Sequence, residues 1–119
     1  MIDAKTLVII PAYNEQASIA RVVNRVNECL PTADVVVIND GSNDSTSLAA
    51  YEAGAKVISL PYNLGIGAAV QTGFILAQAG NYDIAVQVDG DGQHDPSEIE
   101  VLLSNLIAGE SDVVVGSRY

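Results

Sequence analysis

Apolar and polar positions along this chain switch repeatedly between an extended pattern and a helical one. Residues 6–10 form a short β-branched run closed by Pro11, which predicts a first strand. Ile19, Val22, Val23, Val26 and Leu30 then recur at i, i+3, i+4, i+7 and i+11, one face of an amphipathic helix that Pro31 ends. Residues 35–38 are continuously apolar, as in a strand covered on both faces. Residues 45–53 read as a shorter helix with Gly54 as its C-cap, and residues 56–60 as a third strand stopped by Pro61. Residues 66–79 read as an alanine-rich helix followed by Gly80, and residues 84–88 as a fourth strand. Asp95-Pro96-Ser97-Glu98 places a cap, a proline in the first turn and a glutamate behind it. Ile99, Leu102, Leu103 and Leu106 continue that segment as a core-facing stripe, and residues 113–115 are a fifth strand.

Strands alternating with helices imply right-handed crossovers and a mainly parallel sheet with helices on both faces, a three-layer α/β/α arrangement. One domain over residues 1–119 accounts for the whole pattern. Because the fifth strand falls just before the last residue, the domain is expected to be truncated at its C-terminus, with little material left to cover one side of a site. In such sheets ligands bind beyond the carboxyl ends of the strands. The segments there are Pro11-Ala12-Tyr13-Asn14-Glu15, Asn39-Asp40-Gly41-Ser42-Asn43-Asp44, Pro61-Tyr62-Asn63-Leu64-Gly65-Ile66-Gly67, Asp89-Gly90-Asp91-Gly92-Gln93-His94-Asp95 and Gly116-Ser117-Arg118. Their convergence on one edge is a stronger signal than any one of them.

Composition narrows the partners. Five Lys+Arg against fifteen Asp+Glu give a net charge of −10, which argues against a basic patch for nucleic acid or for an anionic membrane surface. Cys29 is the only cysteine, so no disulfide forms within the chain, and a reducing, cytoplasmic setting is expected. No signal peptide or membrane-spanning run is legible.

The strand-end edge is itself acidic, with Glu15, Asp40, Asp44, Asp89, Asp91 and Asp95 against Arg118 alone. Such a rim repels a bare diphosphate. Asp89 and Asp91, two apart with a glycine after each, can aim two carboxylates at one hard cation such as Mg²⁺ or Mn²⁺, which would carry the phosphates; the plainer reading is a pair of turn formers. Asp40 can accept from a base's ring N–H, or it can cap the next helix, as Ser42 or Asp44 also can. Tyr13 can stack on a base or sit half buried. Asn63-Leu64-Gly65 with Gly67 brings backbone close to a ligand or a neighbouring strand. His94 is a third ligand, a phosphate contact or a solvated loop residue, and Cys29 reads as structural. Gly65-Ile66-Gly67-Ala68-Ala69-Val70 is a rival dinucleotide fingerprint for an NAD-binding domain, but Val70 stands where a third glycine belongs.

Residues 8–15, Asn39-Asp40-Gly41-Ser42, Asn63-Leu64-Gly65 with Gly67, Asp89-Gly90-Asp91-Gly92-Gln93-His94 and Gly116-Ser117-Arg118 together resemble the family 2 glycosyltransferases, and within them the dolichyl- or polyprenyl-phosphate sugar synthases. The resemblance implies a GT-A fold and inverting transfer from a nucleotide diphosphate sugar, UDP- or GDP-linked. It implies that Pro11, Ala12, Tyr13 and Glu15 line the nucleoside pocket and that Asp40 contacts the base. Asn63, Gly65 and Gly67 join them in donor binding. Asp89 and Asp91 become the metal-binding pair with Gln93 nearby, and Arg118 lies near the phosphates or the acceptor. Asp91 and Arg118 are the candidate catalytic residues. The acceptor implied is a lipid phosphate, which places the full-length parent at the cytoplasmic face of a membrane. Many relatives carry two aspartates where this chain has Asn39-Asp40. The acceptor side, and the general base of hydroxyl acceptors, belong to a continuation beyond this chain, and an uncovered acceptor side favours self-association. The competing classes are a non-catalytic sugar-nucleotide-binding module and a nucleotidyltransferase; the latter normally has a basic, glycine-rich first loop, which is absent here.

Overall fold

A computed structural model describes residues 5–90 and the strand 112–115. The chain runs β1 (Thr6–Ala12), α1 (Ile19–Cys29), β2 (Asp34–Asn39), α2 (Thr46–Glu52), β3 (Lys56–Ser59), α3 (Ile66–Ala79), β4 (Ile84–Gln87) and β5 (Asp112–Val115). The five strands form one sheet in the order β3-β2-β1-β4-β5, and every pairing is parallel. The expected α/β class and each expected strand and helix within the described residues are present. The capping sequence at Asp95 and the stripe from Ile99 to Leu106 lie outside the described residues.

Strand alternation divides the core in two. Val8, Ile10, Val35, Val37, Ile84 and Val86 face α1 and α2, where Ile19, Val22, Val23, Val26 and Ala50 meet them. Leu7, Ile9, Val36, Ile38 and Ala85 point the other way and meet Ala69 and Ala77 of α3. Continuous apolar runs in β1 and β2 are therefore what a doubly covered sheet requires. The small stripe Ala69, Gly73, Ala77 brings α3 very close: a Cβ on Gly73 would stand 2.3 Å from Ile9 Cγ2.

Pro11 does not close β1; the strand continues through it to Ala12. The reason is the ladder. Ala12 O accepts from Asp40 N at 2.8 Å and Ile9 O accepts from Val88 N at 2.9 Å, so odd-numbered residues of β1 face β4. Registered pairing with β4 stops at Ile9–Gln87, so the missing N–H of Pro11 points past the end of that partner and costs no ladder bond. Gly54 follows the C-cap residue Ala53 of α2 and has φ 100°, the left-handed geometry expected of a residue just past a helix end.

The chain moves outward from β1 to β2 to β3, then crosses back to place β4 on the other side of β1. The order reverses between β1 and β4. That reversal separates the segments leaving these two strands and creates a crevice at their carboxyl ends.

Candidate functional site

The segments leaving β1, β2 and β3 enclose a cleft of ≈ 250 Å³ lined by Pro11, Ala12, Tyr13, Glu15, Asp40, Asn63, Gly65, Ile66 and Ala69. Seven of those nine are candidates from the sequence. Ile66 and Ala69 are additional, placed by the first turns of α3; their periodicity marked them only as helix. Tyr13 is 42% exposed, so its ring is available to a flat ligand. Gly67, also a candidate, does not line the cleft, though it is exposed in the first turn of α3.

Two adjoining loops are stitched together by reciprocal hydrogen bonds. Asn14 N donates to Ser42 Oγ at 2.9 Å, while Asn43 N donates to Asn14 Oδ1 at 2.9 Å. Gln16 N donates to Asp44 Oδ2 at 3.3 Å, and Ser45 N donates to Gln16 Oε1 at 3.1 Å. Glu15 N donates to Thr46 Oγ1 at 2.9 Å. The Thr46 hydroxyl in turn donates to Asp44, and this bond, with backbone donors from Thr46 and Gln16, holds the Asp44 carboxyl below its ordinary value. Asp44 thus belongs to the scaffold of the rim. Asn14 adopts φ 53°, a left-handed turn that asparagine tolerates, and its side chain closes the junction.

Asp40 is 3% exposed, and its carboxylate faces the β3–α3 loop. Leu64 N donates to Oδ1 at 2.8 Å, and Gly65 N and Asn63 Nδ2 donate to Oδ2 at 2.9 and 3.1 Å. It does not cap α2, whose N-cap position is Ser45. The neighbouring Asn39 uses both ends of its amide: Nδ2 donates to Ser59 Oγ at 3.2 Å, and Oδ1 accepts from Ser42 N at 3.1 Å. Gly41, at φ 71°, lies under the same loop; a Cβ there would be 2.4 Å from Asn63 N and Tyr62 C. Only glycine allows both that backbone angle and that crossing.

Beyond β4, Asp89 is half buried and Gly90 packs on the end of β1, where a Cβ would lie 3.1 Å from Pro11 O. Ser18 Oγ donates to Gly90 O at 2.8 Å, tying the start of α1 to this turn, a bond no local motif announces. A carboxylate oxygen at Asp89 suits a hard divalent cation. Asp89 is the described member of the candidate pair, and among the described residues no three Asp, Glu, His or Cys side chains converge. Asp91, Gln93, His94 and Arg118 lie outside the described residues.

A larger hollow, ≈ 330 Å³, sits at the opposite edge and is lined in part by Lys5, Asp34, Lys56, Gly80 and Tyr82. Size does not make it the better candidate. Lys5 Nζ donates to Gly80 O at 2.8 Å and lies 4.4 Å from the Tyr82 ring centre, while Tyr82 OH donates to Asp34 at 2.5 Å. Lys5, Tyr82 and Asp34 are thus partnered with one another or with backbone, and the hollow lies at the amino ends of the strands.

An open parallel α/β sheet with glycine, asparagine and aspartate loops gathered at its carboxyl edge is the arrangement in which ligands bind beyond the strand ends. The sequence profile of glycosyl transferase family 2 matches residues 7–119, and the chain belongs to that family. It is 37% identical to a polyprenol monophosphomannose synthase of Mycolicibacterium smegmatis, over 97% of this chain and 45% of that protein. It is 42% identical to protein RfbJ of Shigella flexneri, over 93% of this chain and 83% of RfbJ. An undecaprenyl-phosphate mannosyltransferase of Micrococcus luteus is 34% identical over 96% of this chain and 48% of its own length. The chain thus spans about half the length of the two lipid-phosphate relatives. Among solved structures it is similar to glucosyl-3-phosphoglycerate synthase of Mycobacterium tuberculosis in complex with Mn²⁺, UDP-glucose and phosphoglyceric acid. That match has a TM-score of 0.73 and 29% identity, covering 91% of this chain and 41% of the synthase. The expected GT-A fold and kinship with the polyprenyl-phosphate branch accord with these similarities. Among the described residues no helix is long and apolar enough to cross a membrane.

Proposed function

We propose that this chain is the donor-binding part of an inverting, metal-dependent glycosyltransferase that moves a sugar from a nucleotide diphosphate sugar to a polyprenyl or dolichyl phosphate. The observation that carries the reading is the single cleft formed by Tyr13, Glu15, Asp40, Asn63 and Gly65 from three separate strand ends, beside the β1/β4 reversal. Relatives named for lipid-phosphate substrates, and a similar structure holding UDP-glucose and Mn²⁺, support the same reading.

In this reading Pro11, Ala12 and Tyr13 receive the nucleoside, with the Tyr13 ring as a stacking face, and Glu15 closes the floor. Asp89 and Asp91 hold Mg²⁺ or Mn²⁺, with Gln93 alongside. When bound, the cation offsets the charge that builds on the departing diphosphate. The acidic rim then serves as a filter that admits the diphosphate only with its counter-ion. The acceptor phosphate attacks the anomeric carbon from the face opposite the leaving group, so configuration inverts; being anionic already, it needs little help from a base. Arg118 is placed near the phosphates or acceptor. Localisation at the cytoplasmic face of a membrane, and association of this chain with a second copy, belong to the same proposal.

Titration calorimetry of Asp91→Ala tests it. The variant is expected to lose Mn²⁺-dependent binding of UDP or GDP while its fold remains intact. Unchanged affinity contradicts the metal role.

A further inference from the structure

We propose that Asp40 is a positioning residue: its buried carboxylate is the latch that holds the Asn63-Leu64-Gly65 segment in place as a wall of the donor cleft. This inference rests on the donor-site reading and sharpens it. The resemblance to relatives gives Asp40 a direct contact with the base, whereas here each carboxylate oxygen already accepts from the protein's own loop.

Three facts carry it. First, both carboxylate oxygens are used, Oδ1 by Leu64 N at 2.8 Å and Oδ2 by Gly65 N at 2.9 Å and Asn63 Nδ2 at 3.1 Å. Bonds from N–H groups to a buried charge are among the stronger ones available to a loop. Second, Asp40 is itself fixed. Asp40 N donates to Ala12 O at 2.8 Å, Asp40 O accepts from Asn63 Nδ2 at 3.2 Å, and the side chain is 3% exposed. Third, the loop cannot move further inward. Tyr62 and Asn63 backbone atoms cross directly over Gly41, at distances that leave no room for a Cβ. The latch therefore links the end of β2 to the residue that precedes α3, and Asn63, Gly65, Ile66 and Ala69 take their places in the cleft through it.

The two roles make different predictions. A direct acceptor for a base N–H discriminates between bases. A latch shapes the wall for any nucleotide. In Asp40→Asn, one oxygen becomes an NH₂ group that faces an N–H donor, so at least one latch bond is lost in a buried place.

The experiment combines amide hydrogen exchange with calorimetry of UDP and GDP, both in Mn²⁺, on the wild type, Asp40→Asn, Asn63→Ala and the double variant. The latch predicts exchange at Leu64 and Gly65 faster by about tenfold or more in Asp40→Asn, the scale of one lost bond to a charged group. It predicts that the affinities for UDP and GDP fall by the same factor, leaving their ratio within about twofold, and that Asn63→Ala adds less than its single effect in the double variant. Unchanged exchange at Leu64 and Gly65, a shifted UDP/GDP ratio, or strictly additive losses each overturn the proposal. Should Asp40→Asn fail to fold, Asn63→Ala decides through exchange, because it keeps the carboxylate and its two backbone donors while removing the third: faster exchange at Leu64 and Gly65 supports the latch and unchanged exchange overturns it. If the wild type binds neither nucleotide, the donor-site reading fails and the positioning role goes with it; exchange at Leu64 and Gly65 still reports whether the bonds exist.

Discussion

At the scale of single residues, many distinctive polar side chains among the described residues bond to the chain itself. Asn14, Gln16, Ser42, Asp44 and Thr46 stitch two loops, and Asn39 uses both its donor and its acceptor. The loop-to-loop bonds were not legible beforehand, because each joins residues about thirty positions apart and leaves no local spacing to read. What was legible was residue type at a strand end: Tyr13, Glu15, Asp40, Asn63 and Gly65 all line one cleft. The other edge offers a clean pH test. Tyr82 OH donates to Asp34, and this bond, with burial and the nearby charge, raises the tyrosine to about 12 from 10.0. A raised folded value means the bond's stabilisation is fully present below the unfolded value of 10.0 and is lost as pH rises through about 12. An ultraviolet tyrosine titration is expected to show one late-ionising tyrosine that disappears in Tyr82→Phe and shifts down toward the ordinary range in Asp34→Ala. A late tyrosine that persists in Tyr82→Phe contradicts the assignment.

At the scale of elements, hydrophobic period located the strands and helices because local pattern and sheet topology agree here. The start and end of α3 follow directly from the glycines at 65 and 80. The end of β1 did not follow, since proline's effect depends on which neighbour its missing N–H faces, and that is set by register with β4 rather than by sequence nearby. The reason for glycine within α3 was equally hidden: Gly73 meets fully buried Ile9. Gly73→Ala improves helix propensity by about 1 kcal/mol but forces a methyl into that contact, which costs about 1–3 kcal/mol. We expect a net loss of up to about 2 kcal/mol in urea unfolding at unchanged m-value, the propensity gain offsetting part of the overpacking cost. Ile9→Ala removes all three atoms that the new methyl would strike. Its own cost should therefore be smaller in the Gly73→Ala background than in the wild type. Equal costs in both backgrounds would mean that α3 shifts away from the sheet instead.

At the scale of the whole molecule, hollows of ≈ 330 and ≈ 250 Å³ among the described residues lie at opposite ends of one parallel sheet, and the larger is not the one proposed for the donor. The reversal of strand order between β1 and β4, the stitched loops and the Asp40 latch all act at the carboxyl edge. Alternation of strand and helix made that edge predictable, while the exact partners of its side chains required the fold. The direct measurement is nitrogen-15 amide resonance broadening by Mn²⁺ in the presence of a nucleoside diphosphate. Ala12, Tyr13, Asp40, Gly65, Asp89 and Gly90 are expected to broaden while Lys5, Asp34, Gly80 and Tyr82 stay sharp. Broadening centred on Lys5, Asp34, Gly80 and Tyr82, or no selective broadening at either edge, would contradict the proposed donor site.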